Sequence, residues 1–501
     1  MIKMECSNPS LAELCQTGIA GLDDVLNGGL PLNRFYLLEG DPGVGKTTLA
    51  LQFLLAGTRK GEKCLYITLS ESKEEIEQVA RSHGWSLDDL DIVELSGLEK
   101  EMVRKTTNTL FHPSEVELQN TVELLKSHVE RVQPARIAFD SLSELQLLAE
   151  SPLRYRRQLL AFKQFFMGRK ATVLLLSDHS QCGEGDAPVQ SLAHGVLKLE
   201  RQEQSYGTER LRLRVNKIRG HKFRSGSHDY VIERGGLRVF PRLVAPETEI
   251  SYAAETLQSS VPELDRLLGG GLDVGTSNLF VGPAGTSKST LALQYVHCVA
   301  KKGGRILFYC FDETLRLACN RAAKVGLDIQ PFIKSGHLVM KKVNPAELSP
   351  GQFAHEIKEA ADEKLDLVVI DSLNGYLAAM PDEKFLNLHL HELLTYLAHR
   401  GVTSIMTLAQ SGLVGTMNSP VDVTYLADTV VMTRFFESQG AVKKAISVIK
   451  KRSDNHETTI REFRVDSRGL RIGEPLVEFR GVLTGTPEFL GDDAKILKTR
   501  A

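Results

Sequence analysis

The chain has 501 residues, with 61 Lys and Arg against 63 Asp and Glu for a formal charge of −2, and is 42% hydrophobic and 25% charged. That length exceeds what one hydrophobic core usually serves and predicts two domains of roughly 230 residues, while the balanced charge excludes a global basic field that would recruit nucleic acid. The seven cysteines, at positions 6, 15, 64, 182, 298, 310 and 319, form no Cys-x-x-Cys pair, which favours buried reduced thiols over zinc or disulfides.

Residues 1–16 read as an N-terminal segment without the apolar core of a signal sequence, and no stretch approaches bilayer length, so a cytoplasmic location is expected. From Thr17 to Leu30 runs a Gly-rich motif, followed by an apolar run, Phe35–Leu38, and then by Gly40, Gly43, Val44, Gly45, Lys46, Thr47 and Thr48 in the pattern G-x-x-x-x-G-K-[ST]. Further apolar runs fall at Cys64–Leu69, Ile137–Phe139 and Thr172–Leu176. Nearly continuous in Val, Ile, Leu and Phe, they predict strands buried on both faces of a mostly parallel sheet.

After residue 244 the order starts again. A segment at 245–259 without periodicity is expected to be a linker, and Ser260–Leu272 answers the Gly-rich motif of the first half. Gly282, Gly285, Thr286, Ser287, Lys288, Ser289 and Thr290 answer the phosphate-loop pattern, with Ser287 where its last Gly belongs. Apolar runs follow at Ile306–Phe311, Leu367–Ile370 and Ser404–Leu408, after the one at Asn278–Val281 that precedes the loop. Lys46 and Lys288 are 242 residues apart and Asp140 and Asp371 are 231 apart, so duplication predicts two three-layer α/β P-loop domains, 17–244 and 260–486, with a polar tail at 487–501.

In such a loop the consecutive N–H groups and the following helix N-terminus point at an anion. Lys46 and Lys288 are expected to neutralise β- and γ-phosphates, and Thr47 and Ser289 to offer hydroxyls to Mg²⁺ with Asp140 and Asp371 behind them. Asp140 or Asp371 alone reads better as a strand-end turn residue; the matched spacing in both halves favours the metal role. The next strand ends in Ser70-Glu71 in the first half and Asp312-Glu313 in the second, each starting 24 residues after its lysine. These acids are candidates to orient water or take a proton, and of an adjacent pair only one is expected to face the site. Late in each half come Lys217 with Arg219 and Lys450 with Arg452. On a strand the two cations share a face, and since each loop has its own lysine, a site on an adjacent subunit is the expected target; a charge-protected edge strand is the alternative.

The Gly-rich motif before a Walker loop, the acidic strand end, Asp-Ser-Leu at 140–142 and 371–373, and Lys-x-Arg, all duplicated, resemble the KaiC family of RecA-like double-domain ATPases over residues 17–487. The resemblance implies a homohexamer of two stacked rings with ATP between subunits, Lys-x-Arg acting in trans, and an ATPase first ring. It implies an autokinase and autophosphatase second ring, with Asp312 deprotonating the acceptor and Thr424 and Tyr425 at the acceptor positions. Family members usually carry Ser or Thr at both; Tyr425 departs, which makes Thr424 the preferred acceptor. Timing or signalling, with a Kai-type or other signalling partner, is what the family implies, although the tail that recruits its stimulatory partner is short here.

Two other classes stand beside this reading. A RecA-like DNA motor would need a basic, aromatic-interleaved surface, and the chain shows scattered basic clusters such as Arg210–Arg214 and His221–Arg224, more often a solvated strand face. The other is a nucleotide-switched scaffold with little catalysis.

Overall fold

A computed structural model describes residues 14–95, 113–149, 151–178, 187–203, 207–244, 255–344, 346–378, 386–412, 423–438, 440–453, 455–483 and 487–490. Most of the expected N-terminal segment, linker and tail lies outside them. The chain divides into two units, 1–242 and 243–501. The last residues of the expected linker are structured: Thr256–Leu257 pairs with Leu272–Asp273.

In the first unit a nine-stranded sheet runs in the order 236–240, 227–233, 210–218, 195–202, 35–40, 172–178, 136–140, 64–68, 91–94. The six strands from 195–202 to 91–94 are parallel, and the other three add antiparallel. The second unit repeats this with 475–469, 466–461, 451–441, 429–438, 277–283, 403–410, 367–371, 306–310 and 338–342 in the corresponding places. The fold is therefore a tandem α/β architecture, as the alternating apolar runs predict, and RecA-like, as the family resemblance implies.

The physical cause is visible in the strand that carries each phosphate loop. Every residue of Phe35–Gly40 is buried. Phe35 and Leu37 pack on one sheet face with Phe139 and Phe162, while Tyr36 and Leu38 pack on the other with Leu51 and Phe53. A strand with apolar side chains on both faces cannot sit at an edge, so helices must cover both sides. Six of the eight expected runs lie wholly in parallel strands, and Cys64–Leu69 and Ile306–Phe311 outrun theirs by one residue. Several strands run longer than the apolar stretch; Thr172–Asp178 carries an acid to its C-terminal end.

The Gly-rich motif that opens each half is a hydroxyl–carboxylate lock. Thr17 donates its N–H and Oγ1 to Asp23 Oδ1, both at 2.8 Å, and Ser259 donates its N–H at 2.8 Å and Oγ at 2.7 Å to Asp265 Oδ1. The second copy therefore begins at Ser259, not Ser260, because the lock and not residue likeness sets the register.

Cys15, Cys64, Cys298 and Cys310 are buried and Cys319 half-buried, all as free thiols; burial pushes the Cys64 and Cys310 thiols up to about 12. Cys6 and Cys182 lie outside the described residues. No helix among the described residues is long and apolar enough to cross a membrane. The expected solvated basic face at Arg210–Arg214 is only partly that: Arg210 is buried and Arg212 pairs with Asp229 at 3.4 Å. His221 faces Leu26 O at 2.6 Å and Arg224 donates to Arg242 O at 3.3 Å.

Candidate functional site

Each phosphate loop leaves the C-terminal end of a central parallel strand and opens a helix, Lys46–Thr58 or Lys288–Lys301. The residue before the helix is left-handed in both, Gly45 at φ 94° and Ser287 at φ 71°. Ser287 thus adopts the backbone that its neighbours demand, and its hydroxyl accepts a hydrogen bond from Lys444 Nζ at 2.6 Å. Lys46 Nζ folds back on Gly40 O at 2.9 Å and Asp41 O at 3.0 Å; Lys288 Nζ does the same on Gly282 O at 2.8 Å and Pro283 O at 2.7 Å. Each loop thus sets a buried ammonium beside a helix N-terminus, an arrangement that fits polyphosphate.

The strand-end aspartates come to the hydroxyls predicted for them. Thr47 Oγ1 donates to Asp140 Oδ2 at 3.3 Å and Ser289 Oγ to Asp371 Oδ1 at 3.0 Å. Burial pushes the Asp140 carboxyl above its usual range, against the Tyr66 hydroxyl, which donates to it at 2.6 Å. Asp371 is held instead by Thr407 Oγ1 at 2.5 Å. The same job is done from a different strand in each half, so neither supporting hydroxyl was found by comparing the copies.

The acidic strand ends precede capped helices. Ser72 caps 73–83 by accepting from Glu75 N–H, and Thr314 caps 315–324 by accepting from Leu317 N–H, which fixes Glu71 and Glu313 one residue before each cap. Glu71 is half-buried, its Oε2 has no hydrogen-bond partner among the described residues, and burial, with Asp140 next, pushes its carboxyl up to about 7. The second half divides its acids. Asp312 Oδ2 accepts from Ser372 Oγ at 2.5 Å beside the strand-end Asp371. Glu313 turns to Arg321, which approaches both carboxylate oxygens at 2.6 Å. Glu313 is thus tied into an ion pair, where the sequence made it a catalytic candidate alongside Asp312.

Lys217 lies on the strand 210–218 and Arg219 one residue past its end; Lys450 and Arg452 stand the same way about 441–451. Lys217 pairs with Val196, which pairs with Leu37, and Lys450 pairs with Val430, which pairs with Leu279. At about 3.3 Å per residue, Lys217 sits about 10 Å and Arg219 about 17 Å along the strands from the end that carries Gly40. Both pairs therefore face the sheet end opposite their own phosphate loop. There Lys217 Nζ donates to Gln190 O and Arg219 to Ser191 O at 2.6 Å; Lys450 Nζ donates to Thr424 O at 3.1 Å and Ala427 O at 2.7 Å, and Arg452 to Tyr425 O at 2.7 Å.

The family model of the KaiC ATPase matches residues 15–244 and again 257–477. The chain belongs to the KaiC ATPase family. It is 27% identical over 481 residues to the circadian clock protein KaiC2 of Synechocystis sp., covering 94% of this chain and 83% of that one. It is 24% identical to KaiC3 of the same organism, with 95% of each covered, and 25% identical to the circadian clock oscillator protein KaiC of Acaryochloris marina, with 96% and 92% covered.

The two KaiC repeats differ where their phosphate loops meet neighbouring strands. A Cβ on Gly43 would lie 2.8 Å from Arg201 Nη2, and one on Gly285 would meet Phe435, the residue at the same register. Asp178 Oδ1 lies 2.6 Å from Lys46 Nζ; in the second repeat its register position holds Ala409. Asp178, Arg201, Lys444 and Arg321 were missed in the sequence because each lies outside the duplicated motifs, and only strand register, or helix phase for Arg321, places it. The family match establishes ATPase domains and nucleotide binding for this chain.

Proposed function

We propose that this protein binds ATP with Mg²⁺ at both loops, hydrolyses it in the first repeat, and assembles as a homohexamer whose second repeat phosphorylates and dephosphorylates its own chain. The register of the two Lys-x-Arg pairs carries this reading. A cation pair turned from its own phosphate loop, in both repeats, serves a phosphate brought by another subunit, and repetition of that relationship around a closed ring yields heterologous contacts. The carbonyls of Thr424 and Tyr425 hold Lys450 and Arg452. A γ-phosphate gripped by those cations therefore arrives beside the exposed Thr424, which is the acceptor in this reading.

Asp312 takes the hydroxyl proton of the acceptor, with Ser372 orienting its carboxylate, and Glu71 orients water in the first repeat. The hydroxyl–carboxylate pairs Thr47–Asp140 and Ser289–Asp371 are hard oxygen donors and fit Mg²⁺. Bound there, the ion would neutralise charge on the β- and γ-oxygens. The relatives are named as circadian clock proteins, which supports a timing role, and a signalling role with a protein partner is part of the same proposal.

Native and intact mass spectrometry after incubation with Mg²⁺ and ATP tests the reading. A six-subunit species with added phosphate, lost in Thr424→Ala, is expected. A chain that stays monomeric at saturating nucleotide overturns the assembly, and hydrolysis without phosphate incorporation removes the kinase half.

A further inference from the structure

The first repeat carries a carboxylate on its phosphate-loop lysine that the second repeat lacks. Asp178 ends the strand Thr172–Asp178, level with Gly40 on the neighbouring strand, and its Oδ1 lies 2.6 Å from Lys46 Nζ. Its backbone is fixed too, since Asp178 N–H donates to Ser143 Oγ at 3.1 Å. Lys46 is 9% exposed in its side chain and Asp178 27%, so the pair is shielded from water on one side and open on the other. In the second repeat the position is Ala409, and among the described residues Lys288 Nζ is held by the carbonyls of its own loop, Gly282 O at 2.8 Å and Pro283 O at 2.7 Å.

We propose that Asp178 is an internal competitor for the first phosphate loop, occupying on Lys46 the place that a nucleotide's terminal phosphates take. This rests on the reading that both loops bind ATP. An incoming triphosphate must separate the ion pair, and the released carboxylate then faces the γ-phosphate with like charge. A diphosphate brings less charge to that point. The first site therefore binds triphosphate more weakly than the same site without the carboxylate, and the effect is smaller for diphosphate. After hydrolysis the carboxylate returns to Lys46 as the γ-phosphate departs. The second site holds its nucleotide without such competition, so the two repeats of one chain differ in occupancy at a given ATP concentration.

The test uses the full chain with Lys288→Ala, leaving the first loop as the binding site, and titrates a fluorescent non-hydrolysable ATP analogue and its diphosphate counterpart. Adding Asp178→Asn, which keeps the shape and removes the charge, is expected to tighten triphosphate binding about tenfold, as loss of a competing charge-assisted contact would. Diphosphate affinity is expected to change less. In the reciprocal chain, Lys46→Ala with Ala409→Asp, triphosphate binding at the second loop is expected to weaken. Unchanged or weaker binding in Asp178→Asn, with circular dichroism showing the fold intact, overturns the proposal and makes Asp178 a support for Lys46. No binding in either single-loop parent chain would instead remove the two-site reading on which the proposal stands.

Discussion

Arg321 approaches the two carboxylate oxygens of Glu313 at 2.6 Å, and eight residues after Glu71 the first repeat has Val79 in place of that arginine. One substitution on the helix after the strand thus separates an acid held in an ion pair from a half-buried carboxylate whose Oε2 has no hydrogen-bond partner among the described residues.

Removing the guanidinium should therefore act on stability. Arg321→Leu leaves Glu313, with 16% of its side chain exposed, without its partner. The expected loss is about 1–3 kcal/mol, below that of a fully buried pair because water reaches the arginine. Thermal unfolding of the full chain measures it. An unchanged midpoint would return Glu313 to the catalytic candidates.

Glu71 gives a prediction with opposite signs in activity and stability. Its folded carboxyl is raised from 4.5 to about 7, so the native state is relatively favoured below the unfolded value and loses that advantage as pH rises through 7. Glu71→Gln removes the penalty, and at pH 8 it should stabilise the chain by on the order of 2 kcal/mol, with little gain at pH 4. Hydrolysis by the first repeat should fall by at least about tenfold in the same variant and, in the parent, rise with pH through about 7. Scanning unfolding at the two pH values, beside phosphate release from the Lys288→Ala chain, checks both signs. A variant destabilised at pH 8 contradicts the assignment.

The cation pairs predict complementation between chains. A chain with Lys46→Ala and Lys288→Ala keeps its Lys-x-Arg pairs, whereas one with Arg219→Ala and Arg452→Ala keeps its phosphate loops. Each alone should hydrolyse ATP poorly. Mixed, they should recover part of the parent rate, since some interfaces then combine an intact loop with an intact pair. No recovery after verified subunit exchange means that the cations do not act in trans.

The loop position occupied by Gly45 and Ser287 gives a last comparison. A Cβ on Gly45 would lie 2.5 Å from Ile232 Cδ1 at a φ of 94°, whereas Ser287 at 71° already has Lys444 on its hydroxyl. Gly45→Ser should cost about 1–3 kcal/mol through strain and overpacking. Ser287→Gly should change stability by about 1 kcal/mol or less, since it removes left-handed strain together with one hydrogen bond. Chemical denaturation of both variants is the measurement, and equal losses would contradict the difference in packing.

Local sequence was enough for what repeats along the chain. Buried parallel strands announce themselves as apolar runs, and a phosphate loop is a contiguous backbone cradle, so two RecA-like domains, Lys46, Lys288, Thr47, Ser289, Asp140 and Asp371 were all legible. The duplication also made visible that Glu71 and Glu313 share a position, although it could not show that only Glu313 has an arginine beside it. What the sequence left open depends on side chains brought together by strand register and helix phase: Asp178 on Lys46, Tyr66 or Thr407 on the strand-end aspartate, Arg321 on Glu313, Lys444 on Ser287. These partners lie up to 157 residues apart, and an ion pair or hydrogen bond depends on ångström placement that no spacing along the chain records. Tertiary structure therefore decided how the two copies differ, since nearly the same loop is set among different charges in each.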